Sequence, residues 1–339
     1  MTFSSTQRPA LRLMAAAACF AVLGATAAEA QDGEKYQLRY NLSQGESYDS
    51  SVSTEQVISQ EMMGQKSVTT QKLDLASGAS VAEVAEDGTQ DIRYIFERVQ
   101  GSVEGDAMSM TFDSDNADEE PSGPMAALFT SLVDKPLIVS IEPDGDVAGI
   151  EGFGAVIDDV IENAGIPDEQ MKARVRSQLQ DQFSDDMLKE IILGAVFSYP
   201  ADAMAVGDSW TSDGSESVAF PVQMTDTYTL ESVADGVATI KVSSDIVPLP
   251  DRQAQAMGQM LVDVALTGTK TGKLMVDLKS GLVTSGETSM DLSGEINAQM
   301  GMPNAQGESE TMTIPMSVKS NTTVSNKMVA ASEATKTAS

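Results

Sequence analysis

Polar and apolar residues alternate along most of this chain. Tyr36, Leu38, Tyr40 and Leu42 each follow a polar neighbour, the period-two pattern of a strand with one buried face. Residues 52–60 and 66–75 repeat it on either side of Met63-Gly64-Gln65, and 81–84 and 90–99 flank Glu86-Asp87-Gly88. An Asp-Gly pair between two such runs predicts a hairpin, because the tight turns that suit twisted strands need positive φ. An acidic loop at 113–124, a partly helical turn around 125–133 and a strand at 137–141 follow.

The period changes near residue 153. Val156, Ile157, Val160, Ile161 and Ala164 fall on one helical face, and Gly165 is placed to cap its C-terminus. Pro167 opens a second predicted helix, with Asp168 and Glu169 in its first turn and Met171, Val175, Leu179 and Phe183 recurring every fourth residue. Ser184 caps a third, whose apolar face is Leu188, Ile191, Ile192, Ala195 and Val196. Strands return at 218–230, 237–247, 261–278, 282–300 and 311–324, with turns at Ala234-Asp235-Gly236 and Lys279-Ser280-Gly281. Sequence neighbours joined by tight turns make an antiparallel sheet, and about ten strands are too many to stay flat. The pattern predicts an α+β fold: a curved antiparallel sheet with a central three-helix insertion at 153–197 packed on one face.

The first thirty residues stand apart from that fold. Arg8 and Arg12 precede an apolar stretch at 13–23, and Ala28-Glu29-Ala30 is a small-residue cleavage site, so export with a mature start at Gln31 is expected. Cys19, the single cysteine, sits inside the apolar stretch, which leaves the mature chain without a disulfide. No later apolar run is long enough to span a membrane as a helix, and residues 327–339 read as a disordered tail. One domain over 31–326 and a periplasmic or secreted location are the expectation.

Charge and composition narrow the chemistry. The chain carries 51 acidic and 21 basic residues, a formal charge of −30, and no histidine. Such a charge repels nucleic acid and anionic membranes, and the missing imidazole removes Ser-His-Asp and Cys-His catalysis and histidine metal sites. Residues 141–156 hold Asp144 and Asp146 at calcium-loop spacing and Gly152 and Gly154 ahead of an apolar run. Ala148 stands where the third calcium ligand belongs and Ile157 where a phosphate loop needs its third glycine, so Pro143-Asp144-Gly145 reads as a turn between two strand-like runs. Ser209 precedes Trp210 rather than completing a nucleophile elbow, and Trp210 reads as a core anchor at the start of a strand. The 20 methionines suit packing first, then an adaptable apolar binding surface, and only last a Cu(I) site.

The segments KYQLRYNLSQGESY, SIEPDGDVAGIEG, YPADAMAVGDSW and GKLMVDLKSGLVTSGETSMDLSG, within residues 35–326, resemble an exported bacterial family of unknown function. The resemblance implies no catalytic residues. The outline of a curved sheet with helices against it is also similar to periplasmic lipoprotein carriers and related lipid-binding half-barrels, an analogy of fold alone. The expected function is that of a non-enzymatic envelope protein holding an apolar ligand, lipid or lipoprotein, in a concavity of its sheet. Met171, Leu179, Phe183, Ile191 and Ile192 are the candidate ligand-facing residues. No cofactor or nucleic acid is expected; a lipid or an envelope protein is the expected partner. A structural or interaction protein without ligand is the alternative, and a carboxylate-only hydrolase ranks behind it.

Overall fold

The computed structural model describes residues 33–62, 64–106, 109–116, 124–163, 168–182, 197–218, 220–249, 255–257, 260–300 and 311–329. In chain order the elements are β1 (Lys35–Tyr36), β2 (Ser47–Met62), β3 (Gln65–Val84), β4 (Gln90–Gly105), β5 (Ser109–Asp113), α1 (Pro124–Ser131), β6 (Pro136–Ile141) and β7 (Val147–Glu151). Then come α2 (Phe153–Asn163), α3 (Glu169–Gln182), β8 (Met204–Ala205), β9 (Ser209–Val218), β10 (Phe220–Ala234) and β11 (Val237–Pro248). The last are β12 (Gln255–Met257), β13 (Met260–Asp277), β14 (Val283–Met300) and β15 (Thr311–Met328).

Thirteen strands form one sheet, in the order β7-β6-β4-β3-β2-β15-β14-β13-β11-β10-β9, with β5 beside β4 and β12 beside β13. Every ladder in it is antiparallel. The order makes two wings. From β2 the chain meanders outward to the edge at β7, leaves the sheet through α2 and α3, re-enters at the opposite edge with β9 and meanders back to β15. The wings join where β15 pairs with β2, from Met316 opposite Gln60 to Met328 opposite Tyr48.

The sheet is larger than the expected ten or so strands. The extra strands are short or weakly alternating: β9 reads SWTSDGSESV, and only its pairing with β10, Trp210 opposite Tyr228, makes it a strand. Within 153–197 two expected helices are present, while the third lies outside the described residues. The apolar stripe of α2 is borne out, with Val156, Ile157, Val160 and Ile161 all buried. α3 begins at Glu169, two residues after the proline expected to open it. Asp168 is its N-cap, with a carboxylate oxygen accepting from the Met171 amide at 2.8 Å.

One sheet face is apolar and the other polar, the division expected when only one face of an antiparallel sheet is covered. A row on the inner face runs Leu230, Ile240, Leu274, Gly286, Val324, Val52, Leu75 and Val99 across neighbouring strands. The outer face carries cross-strand ion pairs such as Lys72–Glu55, Lys273–Glu231 and Lys319–Asp291. α1, α2 and Leu179 of α3 pack on the inner face of the β2–β7 wing, in a cluster with Tyr48, Leu75, Ile92, Phe96 and Leu137. At the β13–β14 seam the two backbones come close at two glycines. A Cβ at Gly268 would overlap the Asp291 carbonyl oxygen, and one at Gly294 that of Ala265, so only glycine permits this approach.

Candidate functional site

The four segments singled out in the sequence converge. Residues 36–42 run between the turn at Pro143-Asp144-Gly145 and the turn at Lys279-Ser280-Gly281: the Tyr40 amide donates to the Pro143 carbonyl and the Asn41 amide to the Ser280 carbonyl, both at 2.8 Å. From the third segment, the Tyr199 amide donates to the Asp144 carbonyl at 2.6 Å and the Tyr199 hydroxyl to the Gly281 carbonyl. Tyr40, Tyr199, Phe197, Tyr228 and Trp210 then form a chain of ring contacts with centroids 4.7 to 5.5 Å apart from neighbour to neighbour. Trp210 donates its indole N–H to the Ser198 carbonyl at 2.9 Å, an anchor at the start of β9.

This hub answers the question raised by residues 141–156. Gly145 has φ +95°, and a Cβ there would overlap the Phe197 carbonyl oxygen. The Asp144 carboxylate accepts from the Asp146 amide at 3.2 Å, and Asp146 accepts from the Ser198 hydroxyl at 3.2 Å. The carboxylates are used to shape a turn, and the turn docks the segment that crosses from one wing to the other. Burial pushes the Tyr40 phenol up to about 12 and raises those of Tyr199, Tyr48 and Tyr94 as well.

Beyond the hub the inner face changes character twice. The next row is polar except at Met290: Ser212, Asp226, Ser244, Lys270, Met290, Ser320, Gln56 and Gln71 face one another across eight neighbouring strands. Asp226 is 8% exposed and Ser244 4%. Asp226 accepts from the Ser244 hydroxyl, from the Tyr228 hydroxyl at 2.9 Å and from the Lys270 ammonium at 3.4 Å. It faces hydroxyls and an ammonium there, whereas a glycosidase needs a facing carboxylate.

Past this belt the face is apolar again. Val222, Met224, Ile246, Val262, Leu266, Leu292, Ile296, Ala298, Met316 and Val318 form one cluster, flanked by half-buried Ile58, Val264, Met290 and Ile314. All of these residues lie on strands of the large sheet. The cluster was not singled out by sequence reasoning. The signal available was the unbroken alternation of β13, β14 and β15, which says that a face is buried but not against what.

The helical candidates are placed differently. Met171 is 53% exposed on α3, whereas Leu179 is buried against α2 and the sheet. Phe183, Ile191 and Ile192 lie outside the described residues. On the outer face a groove of about 250 Å³ is lined by Ser51, Ser53, Asp74, Ala76, Arg98 and Thr323 among others. Arg98 there is clamped by Asp113 at 2.7 Å and Asp115 at 3.1 Å, and the clamp holds the Asp113 carboxyl below its usual range. Among the described residues no group of three or more Asp, Glu, Cys or His stands where it can hold a metal ion. No described helix is long and apolar enough to cross a membrane.

The fold defines a class: a β-rich protein built on one large antiparallel sheet, with a polar belt dividing the apolar inner face. Residues 87–283 match a family of unknown function, DUF6263, and the chain belongs to that family. No curated protein matches the sequence. A structure titled for lipid–protein interactions in lipovitellin aligns with a TM-score of 0.44 at 9% identity, over 85% of this chain and 25% of that one. The chain therefore spans a quarter of that relative's length. Pseudomonas aeruginosa OccK7 (OpdD) aligns at 0.22 and 7% identity, over 84% of this chain and 100% of that one. OpdQ of the same organism aligns at 0.19 and 6%, over 84% and 99%. Likeness at this level carries no argument about function.

Proposed function

We propose that this protein is an exported, non-enzymatic envelope protein that takes an apolar ligand on the inner face of its sheet beyond the polar belt. One observation carries the reading: among the described residues, strand side chains from β10 to β15 make a contiguous apolar cluster there. Its composition suits variable contacts, because Met224, Met290 and Met316 are unbranched and adapt to different shapes. Phe183, Ile191 and Ile192 stay proposed for contact with the ligand, whereas Leu179 is buried against α2 and the sheet of the other wing and Met171 faces solvent. Export rests on the charged, apolar and small-residue stretches before Gln31, and intact mass of the exported protein checks that start.

The test is titration with an environment-sensitive apolar dye, together with native mass spectrometry of protein purified from its own host. Bound dye and a co-purifying lipid are expected. Ile314→Lys, on the half-buried part of the face, should weaken dye binding about tenfold through an unpaired charge in the site. Val68→Lys, at a position 48% exposed on the outer face, should leave it unchanged. A ligand-free mass with no dye binding favours the structural or interaction protein instead.

A further inference from the structure

We propose that a methionine row at the far end of β12, β13 and β14 is a metal site that takes Cu(I) on thioether sulfur. The proposal rests on strand register and donor chemistry and stands apart from the apolar-ligand reading. Three features carry it.

The first is register. Met257 of β12 stands opposite Met260 of β13, and Met260 stands opposite Met300 of β14, so one row across three adjacent strands is methionine throughout. Neighbouring strands lie about 4.8 Å apart, which sets the outer two backbones about 10 Å apart with the third between them. Met312 of β15 stands one row further along the same face, opposite Ala298. It is diagonal to Met300, a backbone separation of about 7–8 Å that long side chains bridge.

The second is that ordinary packing accounts poorly for the row. Further along the same face, Val264, Ile296 and Ile314 form a row with no methionine, and Leu266, Gly294 and Met316 a row with one. Branched side chains lock into one packed arrangement, whereas three unbranched thioethers side by side give up that definition. A metal ion supplies it, by fixing the sulfur atoms around one centre.

The third is the donor set. The adjacent row of that face, Gln255, Val262, Ala298 and Met312, holds no carboxylate. The chain has no histidine, and its single cysteine, Cys19, precedes β1. Thioether sulfur is soft and neutral, so it selects Cu(I) over Zn(II), Ca(II) and Mg(II), which take imidazole, thiolate or oxygen ligands. The formal charge of −30 favours the arrival of a cation.

The experiment uses the full chain carrying Cys19→Ser, so that no thiolate competes for copper. It is titrated without oxygen against Cu(I) held by bicinchoninate, a coloured chelator whose colour fades as copper leaves it. Withdrawal of copper is expected, with a shell of sulfur alone in X-ray absorption; Ag(I) should displace it and Zn(II) should not. Met260→Leu, which keeps an apolar side chain of similar volume, should weaken binding about tenfold or more. Met171→Leu, on the exposed side of α3, should leave it unchanged. Failure to withdraw copper overturns the proposal, as does a shell containing nitrogen or oxygen, or undiminished binding after Met257, Met260 and Met300 are all replaced by Leu. Where Met260→Leu does not fold, Met300→Leu makes the same test. Apolar dye plays no part in the readout, so this site and the apolar-ligand reading fail independently.

Discussion

At the residue scale the buried phenols set the alkaline limit of the fold. Tyr40, Tyr48, Tyr94 and Tyr199 all hold their protons above the ordinary value of 10.0, chiefly because burial penalises the phenolate. The folded chain then binds more protons than the unfolded chain above about pH 10, so stability is complete below that pH and falls as pH rises toward 12. Tyrosinate absorbance should stay low for these four until it rises together with loss of strand signal in circular dichroism. A stepwise rise near pH 10 with the fold intact is the contrary result. Asp226→Ala removes the buried carboxylate that accepts from Ser244, Tyr228 and Lys270 and is expected to cost about 3 kcal/mol in urea unfolding. Gly145→Ala should cost about 2 kcal/mol, since φ +95° and the Phe197 carbonyl both resist a Cβ. The turn was legible in Pro143-Asp144-Gly145 itself; its docking partners Ser198 and Tyr199, 52 residues after Asp146 and 55 after Asp144, were not.

At the scale of elements the same sequence pattern had unequal force. In α2 four apolar residues in adjacent turns bury together, and the stripe predicted the contact face. In α3 the fourth-residue spacing drifts around the helix, so Leu179 reaches the core while Met171 faces solvent. Strands with long alternation were legible, because a period of two admits one burial solution. Short or polar ones such as β9 were not, because their strand geometry comes from a neighbour's hydrogen bonds. The β13–β14 seam depends on glycine at close approach. Gly268→Val should destabilise the protein by about 2 kcal/mol or more and lower apolar dye binding, while Gly154→Ala, with nothing near its Cβ, should change neither through crowding.

For the whole molecule, the pairing of β2 with β15 closes the sheet over almost the full length of the chain, from Tyr48 to Met328. That contact is lost if either terminal strand is removed, so deletion of β15 should expose β2 and β14 as edges and produce aggregation visible by light scattering. The net charge of −30 opposes compaction. Raising salt from about 0.01 M to about 0.15 M shortens the screening length from roughly 30 Å to 8 Å, so Tm should rise. The exposed outer-face ion pairs weaken in the same step but contribute little.

By itself the sequence determined which residues face inward on each long strand, where the Gly-containing turns fall and which catalytic chemistries a chain without histidine lacks. These are local consequences of side-chain period, backbone sterics and functional-group inventory. Tertiary structure decided which strands became neighbours, and with that every row across the sheet. Ser212, Asp226, Ser244 and Lys270 are unremarkable in four separate alternating segments; antiparallel register alone sets them side by side as a belt. The apolar face beyond it arises in the same way, because pairing partners 256 residues apart, as Gln60 and Met316 are, leave no trace in the period of either strand.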